Sequence, residues 1–188
     1  GDLSDSKTVR NALKGISSAL IVMGNHPEQA NLERRFATIA AESGVTHLVK
    51  ISSMEASPDV QAVLPKNHFD TEEHIRRLGL DWTFLRPNYY MQNMLMFAGS
   101  ISQNGSFALP LASARTAMID TQDVGAVAAT VLTESGHERS IYQLTGSSLL
   151  DFHDVARIMS QTLDCSKAKM RFDDWSCKVS LDDGLKKI

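Results

Sequence analysis

The chain has 188 residues, a formal net charge of −3 and 22% charged residues. That length suits one ordinary core, or a domain with an appendage, and the charge balance argues against a nucleic-acid surface, which needs a basic stripe. No apolar run is long enough to span a membrane, and the chain does not open on a basic-then-apolar signal pattern. The two cysteines, Cys165 and Cys177, form no CxxC pair, so the expectation is free thiols in a reducing, cytoplasmic compartment.

In chain order, Gly1, Asp2 and Leu3 read as the exit of a strand. Ser4 or Asp5 caps a helix that runs to about Lys14, with Val9, Ala12, Leu13 and Ile16 on one face. Ala19 to Met23 is a continuous apolar run, expected to be a central strand, and Gly24-Asn25-His26-Pro27 is the loop at its carboxyl end. The next helix runs from Pro27 or Glu28 to Ser43, with Leu32, Phe36, Ile39 and Ala40 at helical spacing. Val45 to Ile51 is a strand with Ser52-Ser53-Met54 as its exit. A looser polar segment, 55–65, follows.

The stretch 66–93, KNHFDTEEHIRRLGLDWTFLRPNYYMQN, organises the rest. A helix is expected to start between Asn67 and Asp70, where short polar side chains cap free N–H groups, and to end at Gly79. The pairs Glu72/Arg76 and Glu73/Arg77 are four apart and predict a charge-paired exposed face. Trp82 to Leu85 is a short buried strand, and Pro87, with no N–H, is expected to stop it. Ligands of open parallel sheets sit beyond the carboxyl ends of the strands, which is where Asn88, Tyr89, Tyr90, Gln92 and Asn93 emerge.

After Asn93 the spacing predicts a helix over 94–101, a turn at Asn104-Gly105, and two extra strands over 106–111 and 115–119, the first weakened by Pro110. Thr121 or Asp123 starts a helix carrying Val124, Val127, Ala128, Val131 and Leu132, with Asp120 and Asp123 setting its start and dipole. Ser140 to Leu144 is a short strand, and Asp151 caps a helix reaching Leu163. The segment 172–188 is mixed, with a short helix near its end. Strand and helix alternate at least three times, which implies an α/β fold: a parallel sheet, helices on both faces, right-handed crossovers.

The ordered set GDL, ALIVMGN, a helix ending in SGV, HLVKISS, EEHIRRLGLDWTFLRPNYYMQN and IDTQDVGAVAA resembles the NmrA-like branch of the atypical short-chain dehydrogenase/reductases, including its bacterial quinone oxidoreductases. The resemblance covers 1–163. It implies a Rossmann-type doubly wound parallel sheet over 1–145, here partial, with 94–120 contributing to the substrate side and a small C-terminal α+β region over 146–188. It implies NADP(H) or NAD(H) as cofactor and hydride transfer to a quinone-like or other conjugated small molecule. The alternative within the same family is a non-catalytic redox sensor that binds NAD(P)(H) and signals to a partner protein. A homodimer is compatible with either.

Two departures from the family accompany the resemblance. The glycine-rich loop that holds the pyrophosphate has no counterpart in this sequence, so the natural molecule is expected to be longer. The Tyr-x-x-x-Lys pair of the better-known members falls on Leu64 and His68. Leu64 has no acid–base chemistry, whereas His68 can donate to a ribose hydroxyl or relay a proton. The quinone-reducing relatives also carry a histidine there.

Residue by residue, the resemblance implies cofactor contacts from Asp2, Leu3, Gly24, Asn25, Ser52, Ser53, His68, Pro87, Asn88, Tyr89 and Tyr90. Ser52 and His68 are the candidates for chemistry. Met54, Tyr90 and Asn93 are the substrate-side candidates. Each has a plainer reading beside it. Asp2 also suits a helix-capping turn, Ser52 and Ser53 suit local backbone bonding, His68 suits a hydrogen-bonded structural histidine, and Tyr89 and Tyr90 suit packing. No metal site is expected, because His68 and Glu72 lack further ligands at a sensible spacing.

Overall fold

The computed structural model describes residues 2–109 and 114–163. Cys165, Cys177, Pro110 and the expected short helix beyond 172 lie outside the described residues. Contacts divide the chain into two units. Among the described residues, one holds the chain up to Pro87 together with Val124–Leu144; the other holds those of Asn88–Asp123 and 145–163.

The first unit is built on a four-stranded parallel sheet in the order β1 (Ser18–Ile21), β2 (His47–Ile51), β3 (Asp81–Pro87), β4 (Ser140–Leu144). Helix α1 (Ser6–Ala12) starts at Asp5, whose carboxylate accepts from the Lys7 N–H at 2.9 Å, as the capping residue types predict. It packs on α2 (Gln29–Glu42), and α2 packs on α3 (Val63–Arg76). Alternate side chains of a strand share a face, and the face carrying Ile21, Leu48 and Phe84 closes with Ala37 and Ile75 into one apolar cluster. Val9, Leu13, Ile39, Ala40 and Val45 form a second. The opposite face carries Val49, Thr83 and Leu85, all fully buried. Helix α5 (Thr121–Thr133) buries Val124, Ala128 and Val131 at i, i+4 and i+7.

The apolar run 19–23 forms β1, paired in parallel with β2 as a strand of this sheet. Three expectations for this unit need correction. Helix α3 begins at Val63, not at 67–70. Pro65 lies in its first turn, where a missing N–H breaks no helical bond. Strand β3 extends through Pro87, paired with Leu144, because a proline still offers its carbonyl, which here accepts from the Met54 N–H at 3.3 Å. Glu72, expected on an exposed charged face, is fully buried.

The turn after α3 is as read. Gly79 has φ +78°, a left-handed value that glycine adopts without a Cβ penalty, and it redirects the chain into β3.

In the second unit, residues 91–97 form a tight 3-10 turn and α4 (Ala98–Asn104) follows, where a single helix over 94–101 was expected. Gly105 closes α4 with φ +63°. The two extra strands reduce, among the described residues, to isolated bridges at Tyr90–Ile119 and Thr116–Leu150. Asp120 sets the start of α5 by accepting from the Gln122 N–H at 2.8 Å. Helix α6 (Phe152–Leu163) opens with Asp151 and Asp154 bonded reciprocally through each other's backbone N–H. Met94, Met118, Phe152 and Val155 form this unit's core.

Candidate functional site

The exit of β2 is pinned in place. The Ser52 N–H donates to the Leu85 carbonyl at 2.7 Å, continuing the ladder one residue past the strand. Ser52 is 5% exposed, and its hydroxyl donates to Glu72 Oε1 at 2.6 Å. Arg86, on β3, closes on the same carboxylate from the other side, with Nε to Oε1 at 2.9 Å and Nη2 to Oε2 at 2.5 Å. Such a fork-to-carboxylate pair is among the strongest and most directional polar contacts available to a protein. Arg76 stands at 3.9 Å from Oε2. One strand exit, one helix and one neighbouring strand therefore meet at a single buried carboxylate.

A second buried pair lies one residue pair back along β2. Lys50, on the same face as Leu48, reaches Glu33 of α2 at 2.6 Å, with both side chains almost wholly buried. Glu33 also accepts from Gln29 at 3.3 Å. Burial pulls the Lys50 ammonium below its ordinary pKa, and Glu33, then Glu72, oppose that pull. An ion pair at this depth persists only because each charge has its partner.

His68 lies one turn before Glu72 on α3, on the same helix face. Its Nδ1 is buried and has no hydrogen-bond partner. Burial, with the positive charge of Lys50 second, pushes its pKa down to about 4. The ring is therefore neutral at pH 7, with one nitrogen able to donate and one to accept.

The other sequence candidates of the first unit lie as follows. Asp2 is exposed, and its carboxylate accepts from the Ser4 N–H at 2.8 Å, which lowers its pKa. The Leu3 carbonyl accepts from Arg35 at 2.6 Å. Gly24 and Asn25 are exposed beyond β1, and nothing lies within 4 Å of where a Gly24 Cβ would sit. The Ser53 hydroxyl donates to Glu55. Met54 is half-buried and Pro87 is buried. Leu64 is 40% exposed.

The remaining candidates belong to the second unit. Asn88 Oδ1 accepts from the Tyr89 N–H at 2.7 Å and from the Thr116 hydroxyl at 3.1 Å. Tyr89 meets Phe152 edge to face, with centroids 5.8 Å apart. Burial raises its pKa, opposed by a hydrogen bond to Asn93. Burial likewise raises that of Tyr90, and the Asn93 N–H donates to the Tyr90 carbonyl at 3.0 Å. Among the described residues, no group of three or more His, Cys, Asp or Glu side chains is placed to hold a metal ion, and no helix is long and apolar enough to cross a membrane.

Sequence reasoning missed Glu72, Arg86, Lys50 and Glu33 as parts of this site. A signal for two of them was present. Lys50 and Arg86 each interrupt a short apolar strand, HLVKI and DWTFLRP, and a charge inside a buried strand demands a buried partner.

Known proteins share this arrangement of strands and helices. The NAD(P)H azoreductase of Xenophilus azovorans is 33% identical over 160 residues, covering 85% of this chain and 56% of the relative. An NADPH-dependent quinone oxidoreductase of Escherichia coli, solved in complex with NADPH, superposes with a TM-score of 0.79 at 26% identity, covering 87% of this chain and 58% of that one. The triphenylmethane reductase of Citrobacter sp. superposes with a TM-score of 0.77 at 26% identity, over 87% and 58%. The chain thus spans just over half the length of the relatives it matches. A model of the NmrA-like family matches residues 1–181, and the chain belongs to that family.

Proposed function

We propose that this chain serves NAD(P)H-dependent reduction of a flat, conjugated acceptor of quinone-like chemistry. The observation that carries the reading is the buried, unpartnered Nδ1 of His68, on the helix face that also presents Glu72 to Ser52 at the carboxyl end of the parallel sheet. A buried polar atom without a partner is costly in isolation, and a ligand hydroxyl removes that cost. Similarity to reductases named for NAD(P)H and for quinones supports the choice of cofactor and acceptor.

The cofactor supplies the hydride when bound. His68 holds a ribose hydroxyl through its free ring nitrogen, and its neutral state at pH 7 keeps that nitrogen available. Ser52, fixed by its backbone bond to Leu85, positions a second polar group of the ligand. Leu64 supplies no proton, so the acceptor is one whose reduced oxygen takes its proton from water. That requirement favours quinone-like acceptors over simple carbonyls. A cytoplasmic setting suits this chemistry, since NAD(P)H is kept there.

A second reading, a redox sensor with cofactor binding but no turnover, is favoured by Leu64 and by the commitment of the Ser52 hydroxyl to Glu72. The deciding experiment is titration of the longest natural form of this chain with NADPH, followed by nicotinamide fluorescence, and then addition of a quinone. Saturable binding with oxidation of NADPH on quinone addition supports the reductase. Binding without turnover across a panel of acceptors supports the sensor. Absence of binding by both NADPH and NADH rejects both.

A further inference from the structure

The Ser52–Glu72–Arg86 cluster fixes not only where Ser52 sits but which half of a hydrogen bond it can make. A carboxylate has no proton to give, so in the 2.6 Å contact the Ser52 hydroxyl is the donor. The carboxylate is held in that role by both Arg86 contacts and is fully buried, so water does not compete for it. The Ser52 oxygen then faces a ligand with lone pairs alone.

We propose that Glu72 is a positioning residue that makes Ser52 an obligate hydrogen-bond acceptor, so that the β2 exit selects a ligand group carrying an O–H or N–H donor and does not donate to a carbonyl oxygen or oxyanion. This rests on the reading that the β2 exit holds the nicotinamide end of a dinucleotide, whose ribose hydroxyls and carboxamide nitrogen are donors of that kind. It removes Ser52 from the role of stabilising negative charge on an acceptor oxygen. It gives Glu72 and Arg86 a function at the site rather than in the core alone.

The test follows the Ser52 hydroxyl proton by NMR and NADPH binding by fluorescence in parallel. A hydroxyl held on a buried carboxylate exchanges slowly and gives its own downfield resonance. That resonance is expected in the free protein, is lost in Ser52→Ala, and persists when NADPH saturates the site. Ser52→Ala is expected to weaken NADPH roughly three- to ten-fold, the worth of one net hydrogen bond. Glu72→Gln removes the carboxylate and is expected to abolish the downfield resonance. Should that variant fail to fold, the Ser52→Ala comparison and the response of the wild-type resonance to NADPH still decide the matter. A missing resonance in the free protein overturns the proposal, as does its disappearance on NADPH saturation or unchanged NADPH affinity in Ser52→Ala. A resonance present in a protein that binds neither NADPH nor NADH overturns the dinucleotide reading and the ligand selectivity with it, and leaves the Ser52–Glu72 bond itself established.

Discussion

Lys50 and Glu33 meet at 2.6 Å with side-chain exposures of 0% and 1%, one from the middle sheet region and one from the helix that crosses it. Removing one partner strands the other charge in a medium that cannot solvate it. Lys50→Met is therefore expected to cost about 3–5 kcal/mol in a urea unfolding series, and the double change Lys50→Met with Glu33→Leu to recover most of that loss. A double variant no more stable than the single one would mean that the pair acts through something other than mutual neutralisation.

Arg76 spans polar and apolar surroundings. Its guanidinium lies 4.9 Å from the Trp82 ring centroid and 5.2 Å from that of Phe84, and the two rings stack at 4.4 Å. It also pairs with Glu73 and stands near Glu72. Arg76→Ala is expected to cost about 1–2 kcal/mol, combining a partly buried cation–π contact with the lost packing of its stem. Arg76→Lys is expected to recover less than half, because an ammonium does not stack. Trp82 emission is expected to shift in both variants and to remain unchanged when the exposed Arg77 is replaced.

The sequence carried most of the first unit in its periodicities. Strand and helix order, the left-handed Gly79 and the Asp5 cap were legible because each is a local rule with a local cause, as was the Asp151 cap in the second unit. Glu72 was not. Its spacing to Arg76 fits an exposed helical pair equally well, and what decides between surface and core is Arg86, fourteen positions away on another element. The start of α3 differs for a local reason: Asn67 to Asp70 offer capping side chains, yet the helix begins at Val63 behind Ala62, which supplies no side-chain cap. The second unit was read least well. Thr116 and Ile119 find their partners at Leu150 and Tyr90 through single bridges, and no alternation along 106–119 announces such pairing.

The depressed pKa of His68 has a stability consequence with a fixed sign. The unfolded ring binds a proton near 6.5 and the folded ring only near 4. Between those values the unfolded state holds the extra proton, so stability falls as pH is lowered through that window and levels off below it. The full span corresponds to at most about 3.5 kcal/mol at roughly 1.4 kcal/mol per unit. His47 and His74 are lowered as well, both chiefly by burial, so the measurement is the difference between wild type and His68→Gln. The variant is expected to lose stability less steeply between pH 6.5 and 4. Parallel curves for the two proteins would show that His68 is not the group being titrated.

In the second unit, Phe152 stands edge-on to Tyr89 at 87° and joins Met94, Met118 and Val155 in the core. Truncating a buried phenylalanine costs about 3–5 kcal/mol through lost transfer energy and the cavity left behind. Phe152→Ala is expected to lose that much from this unit, and Phe152→Leu markedly less, since leucine refills most of the volume. The local reporters are the Met91 N–H, which donates to the Ile119 carbonyl at 3.0 Å, and the Ile119 N–H, which donates to the Tyr89 carbonyl at 3.0 Å. Both amides are expected to exchange with solvent faster in Phe152→Ala than in wild type, by roughly two to three and a half orders of magnitude if exchange proceeds through opening of this core. Unchanged protection would show that the Tyr89–Ile119 pairing is held without the aromatic contact, and that Tyr89 owes its orientation to Asn93 and to its neighbours in the chain.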